Sequence, residues 1–191
     1  MNFYGAYKNV RDAAWQVLVR HNASELPIQV VSIANNSGIT VIQNKEVNEL
    51  KSNEIGASVY DGEKWYIIYD STMQKARIRF TLAHELGHIF LGHPTKDGYH
   101  ARTIDTDRQN VEREADAFAS RLLMPSCVIW GLGLHSAEEI RDTCGVSFEA
   151  AKIRMERMNT LYQRNKFLTS SLERQVYKNF EHYISNHRKT T

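Results

Sequence analysis

A chain of 191 residues has room for one well-packed domain, or one domain with a helical extension, but not for two full-sized domains. Its 42% hydrophobic and 24% charged residues exclude the biases of disordered or fibrous proteins, and a net charge of only +2 excludes a global pull toward nucleic acid or an anionic membrane. Cys127 and Cys144 lack C-x-x-C spacing and read as reduced thiols in the core. The first residues carry no apolar targeting segment, and no run approaches about 18 apolar residues, so a cytoplasmic location and no membrane contact are expected.

From Tyr7 to His21 the apolar Val10, Ala14, Val17 and Leu18 recur at helical spacing, which predicts an amphipathic helix. Pro27 opens a shorter helical pattern through Ile28, Val31 and Ala34, closed by Asn35, Asn36, Ser37 and Gly38. Ile39 to Gln43, Ala57 to Tyr60 and Lys64 to Tyr69 are β-branched and aromatic. The last two flank the turn signal Asp61-Gly62, predicting a hairpin within a small, mainly antiparallel sheet. A long helix follows from Met73 to Leu91, started near Asp70 and Ser71 and stopped by Gly92 and Pro94. Thr95 to Gln109 reads as a polar loop. A second strong helix runs from about Asn110 to Met124, and short helical pieces then cover Val128 to Leu132, Ser136 to Thr143, Ser147 to Met158 and Leu168 to Ser185. Residues from His187 onward read as a basic tail.

The informative residues are His84-Glu85-Leu86-Gly87-His88, an H-E-x-x-H pattern inside the long helix. Residues four apart on a helix are turned by only about 40° and rise by about 6 Å, so both imidazoles leave one face and can share one small cation, zinc above all. Glu85 falls at the flank of that face, placed to act on a water as general base without being a ligand. Leu82, Leu86 and Ile89 occupy the opposite side, which predicts one buried and one cleft-facing side. A hydrolytic zinc site needs a third protein ligand and an open position. On the second helix Glu112, Ala115, Asp116, Ala119 and Leu123 share a face whose alanines permit close approach, while Arg113 and Glu114 point elsewhere. Glu112 is therefore the expected third ligand, with Glu114 or a solvated charge run as the competing readings. Asp116, one turn on, is placed to accept the free N–H of a ligating histidine, against a plain helix salt bridge. His93 and His100 read as exposed loop residues rather than stabilisers of an oxyanion, and Tyr99 is undecided between the two.

Arg79 through His88, then Leu91-Gly92-His93, then Glu112 through Phe118-Ala119 to Leu122-Leu123-Met124-Pro125, resemble the ImmA/IrrE family of metallopeptidases. Similarity of a weaker kind continues through Gly145-Val146-Ser147 and Arg154, and residues 25–160 are mostly covered. The first helix and the tail after about Leu161 are not covered. The resemblance implies an α+β fold with a gluzincin-type, zincin-like metallopeptidase core and a small helix-turn-helix-like region, and the expected division of the chain is a core over 1–133 and a helical C-terminal region over 134–191. It implies Zn2+ on His84, His88 and Glu112, with Glu85 as the base. It also implies cleavage of a protein substrate, a helix-turn-helix transcriptional repressor of a mobile element, prophage or stress response, the protein acting as an anti-repressor. Asp116 departs from the family, where Asn is common; either side chain can accept the histidine N–H. By analogy with zincins, the hairpin strand around Ala57 to Tyr69 is the expected rail for an extended peptide.

Two rival functions differ in class. One is a regulatory protein that binds a repressor or DNA with a non-catalytic zinc site, its recognition segment being Gly145-Val146-Ser147 with Lys152, Arg154 and Arg157. Mixed charge from Glu149 and Glu156 favours an amphipathic packing helix there instead, so the C-terminal helices are expected to help select a protein partner rather than contact DNA. The other is a zinc hydrolase acting on a small amide. A glutamate beside an open position argues against a purely structural zinc.

Overall fold

The protein is represented by a computed structural model that describes residues 3–93, 99–101 and 109–188, with side chains described within 8–93 and 110–188. Its elements in chain order are α1 (Phe3–Arg20), α2 (Val30–Asn36), β1 (Thr40–Gln43), α3 (Asn44–Val47), β2 (Gly56–Tyr60), β3 (Trp65–Tyr69), α4 (Lys75–Leu91) and β4 (Tyr99–Ala101). Six helices follow: α5 (Gln109–Leu123), α6 (Ser126–Leu132), α7 (Ala137–Cys144), α8 (Phe148–Arg164), α9 (Ser171–Asn179) and α10 (Glu181–His187). The contacts divide the chain into two compact units, Met1–Ala13 with Val30–Ala119 and Ala14–Gln29 with Ser120–Thr191. Among the described residues no helix is long and apolar enough to cross a membrane.

The first unit is built on a four-stranded sheet of order β1-β3-β2-β4. The hairpin β2–β3 forms as the Asp61-Gly62 signal predicts, with Tyr60 opposite Trp65 and the Asp61 carboxylate accepting the backbone N–H of Glu63 and Lys64 at 2.9 Å each. β1 pairs parallel with β3, and β4 pairs antiparallel with β2, so the sheet is mixed. Two expectations are corrected here. The stretch read as a loop from Thr95 to Gln109 supplies an edge strand at Tyr99–Ala101, its residues 94–98 and 102–108 lying outside the described ones. The hairpin strands are interior strands of the sheet, paired on both sides, so neither can serve as a peptide rail; β1 and β4 are the edges.

In α2 the buried face is Val30, Ile33 and Ala34, while Val31 is 45% exposed. The helix therefore begins three residues after Pro27, and the Pro27-based pattern put Val31 on the wrong face. Helix α4 differs more from expectation: every residue from Thr81 to His88 is buried, so its centre is enclosed on all sides rather than half open to a cleft. Leu82, Ala83 and Leu86 face the interior together with Ala57, Ile67 and Ile68 of the sheet. Small residues make that enclosure possible. A Cβ on Gly56 would overlap the Thr81 methyl group, and one on Gly87 would stand 3.2 Å from Ala115 Cα and from Phe118 of α5.

The second unit is helical. Ser136 opens α7 with a capping box, its hydroxyl accepting from the Glu139 N–H at 3.1 Å while the Glu139 carboxylate accepts from the Ser136 N–H at 3.2 Å. A left-handed Gly145 ends α7, and Ser147 caps the start of α8, giving two helices joined by a three-residue turn. Trp130 stacks on Phe167 with centroids 5.0 Å apart, and Gly131 lets α6 approach Tyr177 and Ile184, where a Cβ would meet atoms at 2.7 and 2.9 Å. Cys127 and Cys144 are buried thiols of this unit, with no disulfide between them.

Candidate metal centre

Helical spacing places His84 and His88 one turn apart on α4, and the close α4–α5 approach at Gly87 and Ala115 carries Glu112 up to them. The Glu112 carboxylate lies 3.2 Å from His84 Nε2 and 3.5 Å from His88 Nε2, and the two Nε2 atoms are 2.9 Å apart. One ligand atom from each of the three residues falls within 4.8 Å of the others. Glu114, the competing ligand, is not in this cluster.

The outward nitrogens explain why the inward ones converge. Asp116 Oδ1 is 2.8 Å from His84 Nδ1, close enough to accept its N–H and leave Nε2 as a lone pair. His88 Nδ1 is 2.9 Å from His93 Nδ1, and His93 Nε2 is 3.2 Å from Glu114 Oε2. Both Nε2 lone pairs and both Glu112 oxygens then point into one small space, and those oxygens are buried without a hydrogen-bond donor among the described residues. Buried acceptors facing one another without a donor are costly. A divalent cation satisfies all of them, and two imidazoles with one carboxylate are the donor types of catalytic zinc sites. The cluster's geometry is thus consistent with zinc.

With no cation in the space, the same carboxylates draw a proton onto His84 instead. Burial alone would lower the His84 pKa, but the carboxylates of Asp116 and Glu112 against its ring, with the charge of Glu85, outweigh it and raise it to about 9. The pocket attracts positive charge strongly. Glu85 itself is 2% exposed, and its Oε1 lies 3.5 Å from the point where a Cβ on Gly56 would stand, so the carboxylate borders the start of β2.

His93 was expected in an exposed loop and is instead 9% exposed. Gly92 closes α4 in the left-handed region at φ 66°, with the Gly92 N–H donating to Ile89 O and the His93 N–H donating to His88 O at 3.0 Å. These paired bonds fold the residue after the glycine back on the last turn. The signal was in the sequence: a glycine four residues after His88, followed at once by histidine, puts that histidine against His88. Burial lowers the His93 pKa, with Glu114 opposing. His100 and Tyr99 belong to β4 rather than to a loop, and their side chains lie outside the described ones.

A search of the curated proteins finds no match to this chain. The profile of the peptidase M78 family, described as the IrrE N-terminal-like domain, matches residues 34–156, which include the sheet, α4, α5, α6, α7 and the first part of α8. Family match and buried donor set together support zinc-dependent peptidase activity, and the chain belongs to the IrrE N-terminal-like family of M78 metallopeptidases.

Proposed function

We propose that the protein is an endopeptidase that cuts a protein substrate, a helix-turn-helix transcriptional repressor, with zinc held by His84, His88 and Glu112 and with Glu85 as general base. The observation that carries the catalytic part is the convergence of three donor groups within 4.8 Å beside a buried glutamate on the same helix. Zinc, when bound, supplies a Lewis acid that polarises the scissile carbonyl and acidifies a water. The protein's own residues do the rest. Glu85 accepts the proton of the attacking water and hands it to the leaving amine, so no covalent intermediate is required. Asp116 holds the His84 ring by its Nδ1–H and keeps Nε2 available.

For the substrate we propose an extended peptide along the edge strand β4. Supporting this choice of edge, Ala101 of that strand pairs with Ala57, next to Gly56, which Glu85 borders. The repressor class rests on membership of the family and on its resemblance to ImmA/IrrE proteins. DNA binding through the α7–α8 pair is less supported, because Arg154, one of its three proposed cations, is only 6% exposed.

Glu85→Gln tests the reading. The amide nearly preserves shape, so zinc content and folding should be retained, while loss of the base should reduce cleavage by about 100-fold to 10,000-fold. Each form is co-expressed with a candidate repressor whose length is followed on a gel. Cleavage by wild type and not by Glu85→Gln is expected; equal relief of repression by both forms with the repressor intact would show a binding protein instead.

A further inference from the structure

The His84 ring is held from behind by the Asp116 carboxylate, whereas behind His88 Nδ1 stands a second histidine, His93, and behind that the Glu114 carboxylate. We propose that His93 and Glu114 are positioning residues that fix the tautomer and orientation of His88, so that the zinc affinity of the centre depends on them although neither is a ligand. The inference rests on the ligand set assigned above.

Hydrogen-bond accounting supplies the argument. If His88 presents Nε2 to a cation, its one proton is on Nδ1, and that N–H must donate to an acceptor. The group 2.9 Å away is His93 Nδ1, which accepts only if the His93 proton is on Nε2. That Nε2–H in turn needs an acceptor, and Glu114 Oε2 stands 3.2 Å from it. Once His88 Nε2 is given to a cation, this arrangement of protons carries the support through His93 to Glu114 and leaves the His88 Nε2 lone pair facing Glu112 and His84. The alternative, with the proton on His88 Nε2, would aim a donor at His84 Nε2 and take the His88 lone pair away from the cation space.

Backbone structure places the chain before any metal arrives. The backbone of His93 is pinned by the left-handed Gly92 and by its own N–H on His88 O, so its Cα stays against the last turn of α4 and its ring starts beside His88. The two rings meet edge to face at 70° with centroids 5.0 Å apart. Glu114 comes from α5, the helix that also brings Glu112 and Asp116. A single helix thus contributes one carboxylate to the cation space and one to the rear support of each histidine. Glu114 and Asp116 lie on either side of Ala115, whose Cα is in the tight contact with Gly87 that sets the separation of the helices.

The test is zinc affinity of the full chain, measured by competition with a chromophoric chelator and so independent of activity. His93→Phe keeps the ring and removes both nitrogens; affinity should fall about 10-fold to 100-fold, the range for outer partners of metal-bound histidines. His93→Gln offers one acceptor and one donor in sequence and should recover most of the loss, which a merely space-filling role would not predict. Glu114→Ala should lower affinity as well, and because its side chain is 37% exposed the substitution does not threaten the fold. Should His93→Phe fail to fold, Glu114→Ala decides alone. Wild-type affinity in a folded His93→Phe, or in Glu114→Ala, would overturn the inference. Failure of the underlying ligand set is distinguishable: wild type would then take up no zinc, or Glu112→Ala would hold it as tightly, whatever the residue at 93.

Discussion

Burial pushes the Cys127 thiol up to about 12, aided by the charge of Glu173 and opposed in part by backbone hydrogen bonds and Arg154. A thiolate is the nucleophile in alkylation, so this cysteine should be inert in the native protein. Iodoacetamide at pH 8 is expected to leave Cys127 unmodified in the folded chain and to modify it fully in denaturant, as read by mass spectrometry. Rapid native labelling would contradict its placement. The linked stability follows in sign. The folded state holds the proton more tightly than the unfolded one, so this contribution is complete below about pH 9 and is lost as pH rises from there through about 12. Arg154 in the same unit is the counterpart among cations: burial, then the nearby Arg121, lowers its pKa to about 10. Neither residue has the exposure of a surface reagent, which is why both belong to the interior of the helical unit and not to a recognition face.

Among the elements, the fit of β2 against α4 is the most exposed to a single change. Thr81 is 4% exposed, and the Cβ of an alanine at 56 would occupy the space of its Cγ2. Thr81 is buried, so turning its methyl away would press it or the hydroxyl into packed neighbours, and relief costs either that or a shift of the helix against the strand. Gly56→Ala should therefore destabilise by about 1–3 kcal/mol in urea unfolding. Thr81→Ser removes the obstructing methyl, and the double variant should recover part of the loss; strict additivity of the two single changes would refute this account. The same movement would shift Glu85, which shares the space above Gly56, so activity should fall further than stability alone explains. At the other end of α4 the turn through Gly92 decides where His93 lies, and between the two ends Gly87 and Ala115 decide how near Glu112 comes.

For the molecule as a whole, the metal should act as a folding ligand. His84, His88 and Glu112 all belong to the first compact unit, and their converging acceptors are a cost that a cation removes. Zinc at about a thousandfold excess over its dissociation constant should add about 4 kcal/mol to that unit. Thermal unfolding in zinc should thus run several degrees above unfolding in chelator, and His84→Ala should abolish the difference. An unchanged midpoint in wild type would show that the centre does not take zinc. Because the second unit contains none of these groups, its own unfolding should respond to zinc only as far as the two units unfold together.

What the sequence determined by itself was local. The periods of α1, α4 and α5, the hairpin turn, the i,i+4 spacing of His84 and His88 and the shared face of Glu112 and Asp116 all depend on residues within a few positions of one another. The structure brings those four side chains together as the two faces require. Only the tertiary structure decided the rest. The parallel partner of β1, the strand at Tyr99–Ala101 inside a polar stretch and the interior position of the hairpin depend on pairing between segments far apart in the chain, which no local pattern encodes. Enclosure of α4 on every side is likewise a property of its neighbours, since Gly87 admits α5 and Gly56 admits the sheet. His93 stands between the two cases: the turn that folds it back is local and legible, but its burial and its meeting with Glu114 required a second helix to arrive.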